Sequence, residues 1–296
     1  MTPREPIGLI AGAGRFPLAV ATRAREAGIP VVCVGLAGLA DPALVPLCTE
    51  YRTMRRMSLG FIIRTFQRGG VGRWTMAGKV HKHHYFRPWR LFRLIPDWRA
   101  LRVWYFRSRS DHRDDSLLLS VIREFEGAGL VCVSALDLCP ELLVRPGVLT
   151  KRPPTAQEQA DIAFGWGLAK EMGRFDVGQS VMVRERTVLA VEAIEGTDQA
   201  ILRAGGLCRR GGFVVVKVAK PQQDRRFDVP TVGTETVEVM HRAGAKVLAI
   251  EAARTIFLDE AETVALADRY GLTITALADG GVSPELVGPT GDAAIH

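Results

Sequence analysis

Charged side chains suited to phosphate chemistry cluster around one loop in the second half of the sequence. An apolar run at 213–218 is followed by Pro221 and Pro230, which oppose a regular helix or central strand between them and so predict a shaped loop. Carboxylates are hard oxygen ligands for a divalent cation, and lysine or arginine can balance the charge of a phosphate. A surface network of ion pairs would have the same composition, so both interpretations stay open. The charged residues concerned are Lys217, Lys220, Asp224, Arg226 and Asp228.

A glycine-rich turn near the N-terminus is a second candidate binding element. The apolar run 7–10 leads into Gly12 and Gly14, and Pro17 fits the first turn of a following helix, whose free N–H groups favour an anion. The dinucleotide fingerprint is incomplete, because Pro17 stands where the third glycine belongs and the next strand ends without an acidic residue. The incomplete fingerprint therefore argues against NAD as the ligand. The alternative to a binding role is a tight turn between strand and helix that binds no ligand.

The elements that must position these residues alternate between strand and helix, which is typical of an α/β fold. Since 296 residues are about twice the length of a typical domain, we expect two domains. They are a Rossmann-like parallel-sheet domain at 1–139 and a second α/β or α+β domain at 155–284, with a linker at 140–154 and a loose tail at 285–296. Apolar runs predict strands at 7–10, 31–34, 74–77, 130–136, 181–183, 188–191, 213–218 and 247–249, and helical spacing predicts helices at 18–27, 117–126, 155–172, 236–242 and 258–270.

The predicted strand at 74–77 places Lys79 just beyond its carboxyl end, where α/β folds bind ligands. Lys79 is therefore a candidate partner of a phosphate, and a solvated surface lysine is the alternative. The sequence around Lys79 does not by itself decide between these two interpretations.

Positive charge is concentrated in one segment, 52–113, although the whole chain carries a formal charge of +7. This segment holds 16 lysines and arginines but only two acidic residues, Asp97 and Asp111, for a charge of +14, and it contains 11 of the 21 aromatic residues. Three interpretations compete: a nucleic-acid groove, a membrane-surface element, or the solvated face of ordinary helices. The chain contains no recognisable nucleic-acid-binding motif, so we expect no nucleic-acid partner and favour an anionic membrane surface.

The composition excludes several classes of protein. Hydrophobic residues make up 47% and charged residues 24%, which argues against a disordered or collagenous chain. The chain has no apolar run of the roughly 18 to 20 residues that span a bilayer, and its N-terminus does not resemble a signal peptide, which predicts a cytoplasmic protein. Five scattered cysteines without a C-x-x-C pair predict reduced thiols rather than disulfides or a structural zinc site.

Several stretches together resemble one known family. They read G-L-I-A-G-A-G-R-F-P at 8–17, G-K-V at 78–80, D-V-G-Q-S-V at 176–181, V-L-A-V-E-A-I-E-G-T-D at 188–198 and V-V-V-K-V-A-K-P-Q-Q-D-R-R-F-D-V-P-T-V-G at 214–233. On these motifs the chain closely resembles the LpxI-type UDP-2,3-diacylglucosamine pyrophosphatases of bacterial lipid A biosynthesis. The resemblance spans almost the whole length.

The resemblance implies a Mg²⁺-dependent hydrolase. It would cleave UDP-2,3-diacylglucosamine to UMP and 2,3-diacylglucosamine 1-phosphate (lipid X) by attack of water at the α-phosphorus, and the catalytic aspartate would be Asp224. Our hypotheses for the other residues follow from this chemistry. Lys217 and Arg226 join Asp224 as catalytic residues, Asp224, Asp228, Glu195 and Asp198 are metal ligands, and the substrate is bound by Gly12, Gly14, Lys79, Lys220, Gln223 and Thr197.

The expected partners are the UDP-activated diacylglucosamine lipid and an anionic membrane surface, which would place the protein on the cytoplasmic face of the inner membrane. A homo-oligomer is compatible with the sequence. Two other functions stay open: a nucleotide- or lipid-binding module without turnover, and a nicotinamide-dependent oxidoreductase.

Overall fold

The computed structural model describes residues 4–55, 58–79, 97–99 and 114–278, and only the backbone of 114–117. The chain divides into two compact units. The N-terminal unit runs to Pro140 and includes Arg225–Phe227, and the C-terminal unit comprises Glu141–Asp224 and the chain from Asp228 onwards. No helix within the described residues has both the length and the apolar character needed to cross a membrane.

The N-terminal unit is a parallel α/β unit, as the sequence predicts. Its sheet has the strand order β3-β2-β1-β4-β5, and every neighbouring pair is parallel. The described elements are β1 (Ile7–Ala11), α1 (Phe16–Glu26), β2 (Val31–Leu36), β3 (Glu50–Met54), α2 (Leu59–Arg68), β4 (Arg73–Ala77), α3 (Asp114–Glu126) and β5 (Val131–Cys132).

Aromatic side chains form the centre of the core in this unit. The ring of Trp74 lies 4.2 Å from that of Phe125 and 6.4 Å from that of Phe66, measured between centroids, and all three side chains are buried. The indole N–H of Trp74 donates to the carbonyl of Leu130 at 3.3 Å, which satisfies its polar atom inside the core. These contacts fix β4, and with it the position of Lys79, against two helices.

The C-terminal unit contains a six-stranded mixed sheet with the order β6-β13-β11-β9-β7-β8. Strands β9, β11 and β13 are parallel, whereas β6 and β7 run antiparallel to their neighbours β13 and β9, and β8 runs antiparallel to β7. The elements are β6 (Gly147–Val148), α4 (Ala156–Arg174), β7 (Ser180–Arg184), β8 (Thr187–Val191), α5 (Thr197–Leu207), β9 (Phe213–Lys217), β10 (Thr231–Val232), α6 (Thr234–Ala243), β11 (Ala245–Glu251), β12 (Ile256–Phe257), α7 (Glu260–Arg269) and β13 (Thr273–Leu277).

Strand β9 is buried on both faces, which explains its unbroken apolar run. Val214 and Val216 pack in the cluster that contains Ile162 and Trp166 of α4. Val215 points the other way and packs in the cluster formed with α5, α6 and α7. The two-residue period of the strand therefore builds one core layer on each face of the sheet.

The predicted α/β class is confirmed in both units, but one predicted strand is wrong. The strand expected at 130–136 is only Val131–Cys132, and a 3₁₀ turn at Ala135–Asp137 replaces the rest. The cause is Ser134, whose hydroxyl accepts a hydrogen bond from the Leu136 N–H at 3.2 Å and so caps the turn.

The segment predicted as a linker, 140–154, contains β6, and from Glu141 onwards it belongs to the C-terminal unit. None of the five cysteines, all of which lie within the described residues, forms a disulfide, and three of them are buried. Most of the basic aromatic segment after Lys79, and the tail predicted at 285–296, lie outside the described residues.

Candidate functional site

The first part of the candidate site lies at one edge of the sheet in the C-terminal unit. Strand β9 ends at Lys217 and β11 ends at Glu251, while Ser180 at the start of antiparallel β7 pairs in register with Lys217. Residue 192 follows β8, and its N–H donates to the carbonyl of Ser180 at 2.8 Å. The fold therefore collects polar residues at the carboxyl ends of its parallel strands, where α/β sheets bind ligands.

Two of the predicted site residues meet at this edge. Lys217 is 7% exposed, and its ammonium donates to the hydroxyl of Thr197 and to the carbonyl of Thr231, both at 3.2 Å. Thr197 is the first residue of α5, and Gly196 before it has a φ of 84°, a conformation that favours glycine. The structure thus brings together Lys217, a predicted catalytic residue, and the hydroxyl of Thr197, a predicted substrate-binding residue.

Glu192 is a residue of this edge that the sequence analysis did not assign. It is 8% exposed, and its Oε1 accepts a hydrogen bond from the Thr197 hydroxyl at 2.9 Å. The Ser180 hydroxyl lies 3.4 Å from the same Thr197 oxygen. The signal that could have identified Glu192 is an acidic residue placed directly after an apolar strand, at its carboxyl end.

The loop that follows β9 is organised around Lys220. Its ammonium lies 2.6 Å from Oδ1 of Asp176 and 3.7 Å from Oδ2 of Asp228, and its N–H donates to Oε1 of Gln223 at 3.0 Å. The Asp228 N–H donates to the carbonyl of Asp224 at 3.0 Å. Lys220, Gln223, Asp224 and Asp228 are therefore parts of one folded loop, and Asp176 joins them as a carboxylate that the sequence analysis left without a role.

A buried ion pair anchors the start of this loop. Glu251 is fully buried, and its two oxygens lie 2.8 and 2.7 Å from the ammonium of Lys170 on α4. Oε2 also accepts the Ala219 N–H at 2.8 Å, and Lys170 donates to the Ala219 carbonyl at 3.4 Å. Both backbone polar groups of Ala219 are thus bound two residues after Lys217.

The other two predicted metal ligands lie on either side of the start of α5: Glu195 just before the helix and Asp198 within it. Glu195 pairs with Arg203 at 2.5 Å, and its pKa is lowered by a backbone N–H hydrogen bond and by Arg203. Asp198 lies in the first turn of α5, where its negative charge is favourable. Glu195 is therefore already engaged by a cation in this structure.

The carboxylates of the C-terminal unit meet only part of the needs of a metal ion. Among the residues that the structure describes, no three His, Cys, Asp or Glu side chains form a group able to hold a metal. Mg²⁺, however, commonly uses one or two carboxylates together with waters and substrate phosphates. The carboxylates present, Asp224 and Asp228, suit a cation that brings phosphate and water ligands with it, rather than a cation held by a protein cage.

Arg226, a predicted catalytic residue, belongs to the N-terminal unit. Its guanidinium lies 3.8 Å from Oε1 of Glu126, and the Ser134 hydroxyl donates to the carbonyl of Arg225 at 2.9 Å. Phe227 packs against the core cluster that contains Trp74. Residues 225–227 are therefore anchored by a hydrogen bond, an ion pair and an apolar contact.

The glycine-rich turn and Lys79 meet at the carboxyl edge of the N-terminal sheet. The N–H of Ala13 donates to the Lys79 carbonyl at 2.9 Å, and the N–H of Lys79 donates to the Ala13 carbonyl at 2.8 Å. A Cβ on Gly12 would lie 2.8 Å from the Lys79 carbonyl oxygen, and Gly14 has a φ of 95°. Only small residues allow this close approach, at the N-terminus of α1.

Together these observations define a two-unit α/β protein whose polar and charged residues collect at the carboxyl edges of its sheets. The family model described as LpxI N-terminal domain matches residues 6–142, and that described as LpxI C-terminal domain matches residues 145–275. UDP-2,3-diacylglucosamine pyrophosphatase LpxI of Caulobacter vibrioides (strain ATCC 19089 / CIP 103742 / CB 15) is 32% identical over 289 residues, covering 94% of this chain and 98% of that protein. The chain belongs to the LpxI family.

Proposed function

We propose that this protein is a hydrolase that cleaves the diphosphate of UDP-2,3-diacylglucosamine to UMP and 2,3-diacylglucosamine 1-phosphate. The observation that carries the proposal is the similarity over nearly the whole of both chains to the Caulobacter protein of that name. Further support comes from the residue types at the carboxyl edge of the sheet in the C-terminal unit. The ammonium groups of Lys217 and Lys220 and the carboxylates of Asp224 and Asp228 lie there on one short stretch of chain.

The proposed reaction needs two kinds of residue: cations that bind the diphosphate and a carboxylate that acts on the attacking water. A diphosphate repels an incoming water or hydroxide, so cations must neutralise its oxygens while a carboxylate orients or deprotonates the nucleophile. We assign the diphosphate to Lys217 and Lys220, and the water to Asp224, which acts either as base or as metal ligand. Arg226 is a third candidate cation for binding the diphosphate, and Gln223 and Thr197 are candidate substrate contacts.

We further propose Mg²⁺ as the cofactor, with Asp224 and Asp228 as its protein ligands and Glu195 and Asp198 as more distant candidates. When bound, Mg²⁺ would draw charge from the diphosphate oxygens. Gly12, Gly14 and Lys79 are proposed for the nucleotide portion of the substrate, because helix N-termini and lysines favour phosphate.

Release of UMP from UDP-2,3-diacylglucosamine in detergent tests the proposal. We expect release by the wild-type protein, loss with EDTA and recovery with added Mg²⁺. Asp224→Asn should lower turnover by about 10²- to 10⁴-fold, the range typical of a lost acid–base group. Asp137→Asn, an exposed aspartate in the N-terminal unit, is the matched control and should behave as wild type. Near-normal turnover by Asp224→Asn would contradict the assignment.

The basic aromatic segment at 52–113 is proposed to hold the protein against anionic lipid, where a diacyl substrate resides. Among its described residues, the Trp98 side chain is 79% exposed and adjoins Arg99. Replacing Arg87, Arg90 and Arg93 with glutamine should reduce co-sedimentation with phosphatidylglycerol vesicles at physiological salt. The control replaces Arg209, Arg210 and Arg242, three exposed arginines of the C-terminal unit. Equal losses in the two triple variants would contradict a specific role for the segment.

A further inference from the structure

Glu192 is a buried carboxylate to which the proposed reaction assigns no role. Its Oε1 accepts the hydrogen bond from Thr197, but its Oε2 is buried and has no hydrogen-bond partner among the described residues. A buried carboxylate oxygen without a partner opposes folding, because the oxygen has lost its water without replacement. Stability therefore does not explain why a glutamate occupies this position.

Unpartnered polar atoms are concentrated at this edge of the sheet. Within the part of the chain that the structure describes, five buried side-chain atoms have no hydrogen-bond partner. Three of them are Oε2 of Glu192, Oε1 of Gln179 and Nε2 of Gln223, a residue of the adjoining loop. Gln179 lies at the same edge, because its backbone carbonyl accepts the N–H of Val218, directly after β9. Such atoms are rare in folded proteins, so their accumulation at one edge points to function rather than to packing.

The backbone fixes Glu192 rigidly. Its N–H donates to the Ser180 carbonyl at 2.8 Å, and its carbonyl faces Gly178 so closely that a Cβ there would lie 2.1 Å from the oxygen. Real Cβ atoms do not approach so closely, so residue 178 must be glycine while Glu192 keeps this position. The main chain at residue 192 is consequently held in place, and the carboxylate itself is held through Oε1 by the hydrogen bond from Thr197.

Thr197 links this carboxylate to Lys217. A threonine hydroxyl has one proton, and here that proton is directed to Oε1 of Glu192 at 2.9 Å. The oxygen then presents its lone pairs to the Lys217 ammonium at 3.2 Å. One hydroxyl therefore separates a buried negative charge from a lysine that is 7% exposed.

We propose that Glu192 is a positioning residue for the reaction: through Thr197 it holds the Lys217 ammonium at the carboxyl edge of β9, directed at the diphosphate. The proposal rests on the proposed function, because that function assigns the diphosphate to Lys217. Glu192 does not touch the reacting atoms in this account. It acts by fixing the direction of one hydrogen bond.

The test is a set of three variants with turnover and thermal stability measured on each. Glu192→Gln keeps the shape of the side chain but removes its charge. We expect kcat for UMP release to fall by about 10- to 100-fold, as is typical when a residue that orients an active group is lost. We expect its melting temperature to equal or exceed that of the wild type, since a neutral amide replaces a buried charge that has one oxygen without a hydrogen-bond partner. Thr197→Val should lower kcat similarly, and Thr197→Ser, which keeps the hydroxyl, should recover most of it.

Glu171→Gln is the matched control, because Glu171 is an exposed glutamate of the same unit paired with Arg174 on the surface of α4. It should change neither turnover nor melting temperature. A Glu192→Gln variant with wild-type kcat would overturn the proposal. A parallel loss of kcat and melting temperature would also overturn it, because Glu192 would then be a structural residue.

A binding measurement separates this proposal from the proposed function. If the wild-type protein releases no UMP, calorimetric titration with inorganic pyrophosphate still reports on Lys217. Weaker pyrophosphate binding by Glu192→Gln and Thr197→Val, but not by Glu171→Gln, would support the positioning role while the proposed function failed. Unchanged pyrophosphate binding, or none by any form of the protein, would overturn the positioning role as well.

Discussion

Replacement of Glu251 by glutamine should destabilise the C-terminal unit strongly. Glu251 is fully buried and binds Lys170 through both oxygens, at 2.8 and 2.7 Å, and Oε2 also accepts the Ala219 N–H at 2.8 Å. Removing one partner of a buried ion pair costs about 3–5 kcal/mol, because the remaining charge stays buried. The side chain of Lys170 is 20% exposed and so retains some contact with water, which places the expected loss near the lower end, about 3 kcal/mol.

Differential scanning calorimetry of the purified protein would measure this loss. For a unit of about 150 residues, about 3 kcal/mol corresponds to a decrease of about 6–12 °C in melting temperature. Glu171→Gln serves as the control, since its ion pair with Arg174 is exposed on both sides and should contribute less than about 1 kcal/mol. Arg254 also lies near Glu251, with its Nε 3.5 Å from Oε1, but its side chain is 43% exposed to water. In the double variant Lys170→Met/Glu251→Gln, neither charge of the Lys170–Glu251 pair is left, so its loss should be smaller than the sum of the two single losses. A Glu251→Gln variant as stable as the control would refute the reasoning.

Three further predictions concern capping, packing and metal binding. Burial alone would raise the pKa of Glu158, but hydrogen bonds from Arg152 and from the Thr155 N–H lower it below its ordinary value. Glu158→Gln should therefore cost about 1 kcal/mol near neutral pH, because its hydrogen bonds with Arg152 lose their charge. In urea unfolding the deficit should shrink as the pH falls through that lowered pKa, since the wild-type carboxylate then protonates. Gly178→Ala should lower both melting temperature and turnover, because its Cβ would displace the carbonyl of Glu192. Mg²⁺ titrated calorimetrically into the free protein should not saturate at physiological concentration unless UDP is present, because no described group of three candidate ligands can hold it.

Each of these has an outcome that would contradict it. A Glu158→Gln deficit that is independent of pH would exclude the carboxylate as its source. Gly167→Ala is the control for Gly178, because Gly167 lies exposed in α4 with open space around it and should be neutral or stabilising. If the two alanine variants behaved alike, steric conflict at Glu192 would not be the cause. Saturable binding of Mg²⁺ to the free protein at micromolar concentration would indicate a preformed metal site.

The fold was predictable wherever the sequence pattern is strong. The buried run of β9 and the capping box at Thr155 and Glu158 correctly predict a central strand and the start of a long helix. The predicted strand after Leu130 was wrong because one hydroxyl, that of Ser134, turns the chain after two residues. Such a local capping contact competes with an apolar pattern and is hard to weigh from the sequence alone.

The candidate site was only partly predictable. Lys217 with Thr197, and Lys220 with Asp228, could be named because their residue types fit phosphate chemistry, and the structure places the members of each pair in contact. Glu192 was missed because its importance lies in a contact that sequence cannot show: its hydrogen bond to a hydroxyl five residues further along. Sequence likewise could not show that Glu195 is already paired with Arg203.

Hydrolysis in water enriched in ¹⁸O, followed by mass spectrometry of both products, tests the central claim most directly. The proposed attack on the α-phosphorus of UDP-2,3-diacylglucosamine predicts one ¹⁸O atom in the phosphate of UMP and none in 2,3-diacylglucosamine 1-phosphate. Label in the sugar phosphate, or no UMP release by the wild-type protein with Mg²⁺ present, would contradict the account.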